Sequence, residues 1–288
     1  MMQVTFQNNP RDFLDKCGSY LEQNEAEHNL ILTLCQNAEQ KLQRGEKAGI
    51  RFSTLFDEDN FVLAAVQTPP HNLVLSKSAH QDIDKLVETL AAGDFSFPGI
   101  VGPSDVASIF SNKWTQLTGQ KSVEYMDQII YALKKVSFPP PVEGELRFAK
   151  PEEASLIAEW VAAFSKAALP KADQVDSRAA LKKVEEMIKI GRVVVWAVNG
   201  VPVAQAGISG TDSVARISML YTPPEQRGHG YASAVAAHLS QLQLDQGKKM
   251  CCLYADARNP VSNSIYRKIG YEFVGRSSLY VLDSGTRD

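Results

Sequence analysis

The chain has 288 residues, 44% of them hydrophobic and 22% charged, with a net charge of −3 at pH 7. Such figures exclude disordered and fibrous classes, argue against a general nucleic-acid binder, and leave room for about two domains of ordinary size. The halves differ in charge: residues 1–142 carry 12 basic and 17 acidic side chains, residues 143–288 carry 18 and 16, so an anionic ligand suits the second half better.

The opening MMQVTFQNNPRDF lacks a basic segment followed by an apolar run, so no secretory leader is expected. No stretch of about 18 apolar residues predicts a membrane span. Cys17, Cys35, Cys251 and Cys252 form no Cys-x-x-Cys pair, and adjacent Cys251 and Cys252 point to opposite faces of a strand, which disfavours a shared metal. A cytoplasmic protein with reduced thiols and no metal is the expectation.

Asp12 to Leu42 reads as one or two helices, FVLAAVQTPPHNLVLS as two strands around a Pro-Pro turn at Thr68–His71, and Gln81–Leu90 as a helix. FPGIVGPSDVASIFSNKW predicts a short strand, a Gly-Pro turn, Ser104 as a helix N-cap and a helix to Leu117. Ser122–Val136 is a further helix or strand. In SFPPPVEGE, three consecutive prolines exclude helix and favour an extended linker, which places a domain break at Pro141. The expected domains are therefore 1–141 and 142–288.

Beyond the linker, ELRFA is a strand, Glu152–Lys166 a helix with Leu156, Trp160 and Phe164 at helical spacing, and Ser177–Ile190 a second helix. RVVVWAV, GVPVAQAGISG and SVARISMLYT make three strands joined by turns. Gly230–Gln246 is a helix, KKMCCLYAD a strand, Pro260–Ile269 a helix and SSLYVLD a last strand. This order is an antiparallel meander followed by a crossover, and the crossover helix makes the strands at Leu220 and Leu253 parallel.

The stretch YTPPEQRGHGYASAVAAHLSQL sets Arg227, Gly228, His229 and Gly230 before the crossover helix. A helix start offers unpaired N–H groups and a positive dipole end, and glycines let a phosphate approach the backbone. Gly-Tyr-Ala at Gly230–Ala232 fails the Gly-Lys-Ser/Thr ending of a P-loop. Ser233 takes the third glycine position of a dinucleotide fingerprint, and Asp256 is displaced from the acid such a site needs.

Arg227, Gly230 and Ala232 instead meet the pattern Arg/Gln-x-x-Gly-x-Gly/Ala, and Asn259, Tyr266, Gly270 and Tyr271 in YADARNPVSNSIYRKIGYEFVG follow at the matching places. In these residues, from Glu143 to Leu282, the chain resembles the GNAT superfamily of acyl-CoA N-acyltransferases. The first half has no such match, although GIVGPSD after a strand hints at a worn copy. The resemblance implies an α/β (α+β) fold: a mixed, mostly antiparallel sheet with one parallel, splayed strand pair flanked by helices, in two tandem GNAT-like domains.

It further implies acetyl-CoA as acyl donor and a small-molecule or peptide amine as acceptor, transferred directly in a ternary complex, with neither nucleic acid nor membrane as partner, in a monomer or homodimer. The implied cofactor-binding residues are Met219, Leu220, Tyr221, Arg227, Gly228, His229, Gly230, Tyr231, Ala232, Asn259, Asn263 and Tyr266. Backbone N–H groups of Met219, Leu220 or Tyr221 stabilise the carbonyl oxygen, and Tyr266 is the general acid that meets the leaving thiolate, with Asn259 beside it.

Asn259 before Pro260 is also an ideal helix cap, so cap and ligand contact both stand. About 100° per residue groups Asn259, Asn263 and Tyr266 on one side of their helix, with Val261, Ile265 and Ile269 packing on the sheet. His229 suits contact with a phosphate better than catalysis, His238 reads as surface, Arg216 either lines the acceptor site or faces water, and Lys268 either approaches the cofactor or is exposed. No general base is evident, since VARISMLYT holds no acid; Asp256, Glu225 and a water chain are the options. A non-catalytic acyl-CoA-binding regulator is the alternative, and a nucleotide-binding oxidoreductase is disfavoured by Ser233. The acceptor is not legible in SKAALPKADQVDSR, the loop expected to border it.

Overall fold

The structure is a computed structural model and describes residues 1–78, 82–93, 95–171 and 174–283. It forms two compact units. One holds Met1–Ile130, Asp256–Arg258 and the chain from Val274 onward; the other holds Tyr131–Ala255 and Asn259–Phe273. Neither unit is one continuous stretch of chain.

The first unit runs β1 (Met2–Gln7), α1 (Pro10–Gln23), α2 (Asn29–Gln43), β2 (Arg51–Asp57), β3 (Asn60–Gln67), β4 (Leu73–Leu75), α3 (Asp84–Ala92), β5 (Gly99–Pro103), α4 (Ser104–Thr118) and β6 (Lys121–Leu133). The chain's last strand, β12 (Glu272–Asp283), pairs antiparallel with β5, Leu279 opposite Val101. β4 and β5 are parallel across the α3 crossover. One core, with Leu63, Leu86, Ile100 and Phe110, packs α3 and α4 on the sheet, and another, with Phe13, Leu21, Ile31 and Phe52, holds α1 and α2.

Asn9 caps α1 by accepting from the Asp12 N–H at 2.9 Å, with Pro10 at the first helical position. The expected cap at Ser104 is corrected. Ser104 is itself helical, no side chain caps α4, and its hydroxyl accepts from Ser278 Oγ at 2.8 Å. The helix expected over Gln81–Leu90 is α3, with Gln81 outside the described residues, as are Ala172 and Asp173 of the loop expected to border the acceptor.

The second unit repeats the sequence of elements: β7 (Glu145–Phe148), α5 (Ala154–Ala168), α6 (Ser177–Lys189), β8 (Val193–Val198), β9 (Val201–Gly210), β10 (Val214–Tyr221), α7 (Tyr231–Asp245), β11 (Met250–Asp256) and α8 (Pro260–Ile269). β7 to β10 form the expected antiparallel meander, and β11 lies parallel to β10. Val193 and Val195 pack against Ile157, Ala158 and Val184 under α5 and α6. The alanines of α7, Ala234, Ala236 and Ala237, are buried, and Cys251 and Cys252 are both sealed because helices cover both faces of the sheet. All four cysteines are free thiols. Among the described residues no helix is long and apolar enough to cross a membrane.

Two irregularities interrupt β10. Its pairing with β11 is confined to Val214, Ala215 and Arg216, opposite Met250, Cys251 and Cys252. Its pairing with β9 shifts between Ser218 and Tyr221, and Met219 stands at φ +50°. A bulge of this kind re-aims backbone and side chains and ends regular pairing. The strand therefore reaches Tyr221 with one edge unpaired by its parallel neighbour.

Candidate active site

From the end of β10 the chain makes a 3-10 turn at Pro224–Gln226 and reaches Arg227, Gly228, His229 and Gly230 before α7. Gly228 and Gly230 both stand at φ +83°, a conformation in which a side chain is strained. Gly230 occupies the N-cap of α7, and no side chain caps the helix. Its first-turn N–H groups are thus left for water or a ligand. Arg227 is exposed, with Nε–H donating to the Thr222 carbonyl at 3.1 Å, which ties its guanidinium to the end of the strand.

These elements bound a groove of about 610 Å3, a volume ordinary for a small-molecule site. Nine of the twelve residues expected to hold a cofactor line it: Leu220, Tyr221, Arg227, Gly228, Gly230, Tyr231, Ala232, Asn259 and Tyr266. Met219, His229 and Asn263 do not. Met219 spends its conformation on the bulge. The exposed His229 stacks on Tyr231, with ring centroids 5.5 Å apart. Asn263 is buried inward, its Nδ2 donating to the Asn259 carbonyl at 2.7 Å. Thr222, Gln226 and Ser262 line the groove without having been anticipated, and the Thr222 hydroxyl oxygen is buried with no hydrogen-bond partner.

Asn259 is the cap of α8 and stands in the groove wall. Its Oδ1 accepts from the Ser262 N–H at 3.1 Å. The two sides assigned to α8 are partly reversed. Asn263, Tyr266 and Ile269 form the buried face, while Val261 is 69% exposed. Packing overrides hydropathy here, because the Tyr266 ring is clamped by Tyr131 at 6.2 Å and meets Tyr271 edge-on at 5.9 Å. Tyr271 in turn shares a hydrogen bond with Ser240 Oγ at 2.8 Å. Burial pushes the Tyr266 hydroxyl up to about 12, so it is protonated throughout the neutral range.

The candidate bases separate clearly. Asp256 pairs with Arg258 at 3.0 Å, which holds its carboxyl below the ordinary value. Glu225 is exposed, as is Lys268. His238 is exposed, as expected, with its ring between those of Phe138 and Trp196, each centroid 5.1 Å away, and partial desolvation lowers its pKa. Among the described residues no cluster of His, Cys, Asp or Glu could hold a metal ion.

Comparison with known proteins agrees with this geometry at the level of fold. Residues 201–281 match the family described as FR47-like protein. No curated protein matches the chain. A Drosophila protein solved by a structural genomics consortium superposes with a TM-score of 0.72 at 14% identity, over 98% of this chain and 99% of that one. A tandem GNAT protein from the clavulanic acid biosynthesis pathway covers all of both chains with a TM-score of 0.55 at 11% identity. A GNAT-family acetyltransferase from Colwellia psychrerythraea aligns over 97% and 99%, with a TM-score of 0.55 at 10% identity. The GNAT resemblance carried by the motifs thus extends to the whole chain as a tandem fold.

Proposed function

We propose that this tandem GNAT chain is an N-acetyltransferase, moving an acetyl group from acetyl-CoA directly to a primary amine of a small molecule or peptide in the cytoplasm. One observation carries the reading. A single groove runs from an uncapped helix start, flanked by two left-handed glycines and Arg227, to a protonated tyrosine beside a strand that has left its parallel partner.

The residues fit the cofactor's chemistry. The amides at the start of α7 and the Arg227 guanidinium suit a diphosphate. The free edge of Leu220 and Tyr221 suits an extended amide-bearing arm, and an N–H there can stabilise the carbonyl oxygen; such a donor is typically worth about 10²–10³ in rate. Acetyl-CoA, when bound, supplies the thioester carbonyl. The amine nitrogen bonds to that carbon, the C–S bond breaks, the sulfur ends with a proton and the nitrogen loses one.

Magnitudes refine the role of Tyr266. With its hydroxyl at about 12 and a thiol near 8.5, full proton transfer to the thiolate is uphill by about 5 kcal/mol. Tyr266 therefore serves as a hydrogen-bond donor to the developing thiolate, and solvent supplies the final proton. The amine's proton goes to water, since Asp256 is engaged by Arg258 and Glu225 lies in solvent.

Two measurements test this. The melting temperature should rise with acetyl-CoA and CoA and not with NAD, and thiol release should require an added amine. Stabilisation by NAD alone would reject the reading. Stabilisation by acetyl-CoA with no thiol release from any amine would favour a non-catalytic acyl-CoA-binding protein.

A further inference from the structure

The groove opens among residues of α7 and α8, so an amine has to reach the splayed strands from the other face of the sheet, beneath α5 and α6. That face can be traced through the register. Val193 of β8 belongs to the α5–α6 core and pairs with Gly207 of β9. Gly207 pairs with Ser218 of β10, and Ser209, two residues along β9, pairs with Arg216. Paired residues share a face, and so do alternate residues of a strand. Arg216 therefore projects to the α5–α6 side.

There its Nε–H donates to Ser209 Oγ at 3.2 Å, and its guanidinium lies 5.9 Å from the Tyr254 ring centroid. It is half-buried, and among the described residues no carboxylate lies within ion-pairing distance of it. Arg216 is also the last β10 residue paired with β11, so it stands at the root of the splay. A guanidinium in that setting keeps its two Nη groups for a planar anion, which it binds through charge-assisted, bidentate hydrogen bonds.

We propose that Arg216 forms an anion subsite for the acceptor: the amine substrate carries a carboxylate or another anionic group, which Arg216 holds on the α5–α6 face while the amine reaches the splay. The proposal rests on the transferase reading and narrows its acceptor class.

The test uses matched amines: L-phenylalanine and its amide, β-alanine and its amide, O-phosphoethanolamine and ethanolamine. Thiol release from acetyl-CoA is measured for the wild type, Arg216→Gln and Arg216→Lys. In the wild type the anionic member of at least one pair should have a kcat/KM about tenfold or more above its neutral counterpart. Arg216→Gln should erase the difference through KM, and Arg216→Lys should retain part of it. Calorimetric titration of the same amines into the CoA-saturated protein gives the comparison where turnover is slow. Equal kcat/KM and equal affinity within every pair, or a preference that survives Arg216→Gln, would overturn the proposal while leaving the transferase intact. Failure of acetyl-CoA to raise the melting temperature of the wild type would instead strike the transferase reading itself. Carboxylate and phosphate pairs separate the two sources of negative charge.

Discussion

The two units share one order of elements and differ where chemistry would occur. Between β10 and α7 the second unit has Arg227, Gly228 and Gly230; between β4 and α3 the first has a stretch from Ser76 to Ile83 containing neither glycine nor arginine. There Lys77 pairs with Glu27 at 3.4 Å, and its N–H donates to His28 Nε2 at 3.0 Å, so the chain at Lys77 is tied into the fold. Counting from the start of the helix, Tyr266 is the seventh residue of α8 and Phe110 the seventh of α4. The Phe110 ring lacks a hydroxyl, is fully buried and packs on Trp114 and Phe97. The scaffold thus folds without the site, and the site amounts to one glycine-bearing loop and one hydroxyl laid on that scaffold.

The sharpest way to break this contrast is Gly230→Val. At φ +83°, with Val142 Cγ1 only 3.0 Å from where a Cβ would stand, the substitution should reduce CoA affinity by about a hundredfold or more, since a branched side chain would fill the phosphate position. CoA titration checks it, with circular dichroism to confirm folding; affinity within a few-fold of wild type would remove the loop from the site.

Next in size is a pH effect confined to the first unit. His28 is buried, donates Nδ1–H to the Leu21 carbonyl and accepts at Nε2, and burial lowers its pKa to about 4. The unfolded chain binds the proton from about pH 6.5 downward and the folded one does not, so stability falls with pH across 6.5 to 4, by about 3 kcal/mol in all. Urea melts at pH 7 and pH 4.5 should show this loss, and His28→Asn should flatten it.

A reciprocal pair sharpens the comparison at the seventh helical position. Tyr266→Phe should lower kcat by about ten- to a hundredfold, the worth of a hydrogen bond to a developing charge, while leaving CoA affinity nearly unchanged. Phe110→Tyr should create no activity and cost about 1–3 kcal/mol, because the new hydroxyl has no partner in that core. Steady-state kinetics and thermal melts read the two outcomes. Smallest is Asn259→Ala, which should cost about 1 kcal/mol for the lost cap of α8.

Much of the second unit was legible because glycine, proline and apolar periodicity there agree with the fold. The glycine-bearing loop before α7 stood out through Arg227, Gly230 and Ala232 together with Asn259, Tyr266, Gly270 and Tyr271 further on. β1 and β2 escaped notice because their buried positions are partly polar. Thr5, Gln7 and Thr54 hydrogen-bond to one another at 2.8–2.9 Å, and polar side chains at these positions erase the hydropathy pattern of a strand. The faces of α8 were misjudged for the converse reason, since an aromatic clamp and a buried asparagine outweigh an exposed valine. GIVGPSD proved to be the β5–α4 junction, which corresponds in the second unit to Asn259 and Pro260 at the start of α8 and not to the phosphate loop. Arg216 was visible as a residue, but its lack of an acidic partner among the described residues depends on register and burial that no local pattern encodes.

The pairing of β12 with β5 has a consequence for biosynthesis. β5 is made long before its partner β12, so a nascent chain paused anywhere before Tyr280 carries an open edge at Gly99–Pro103. Removal of β12 should therefore injure the first unit rather than the one whose helices it follows.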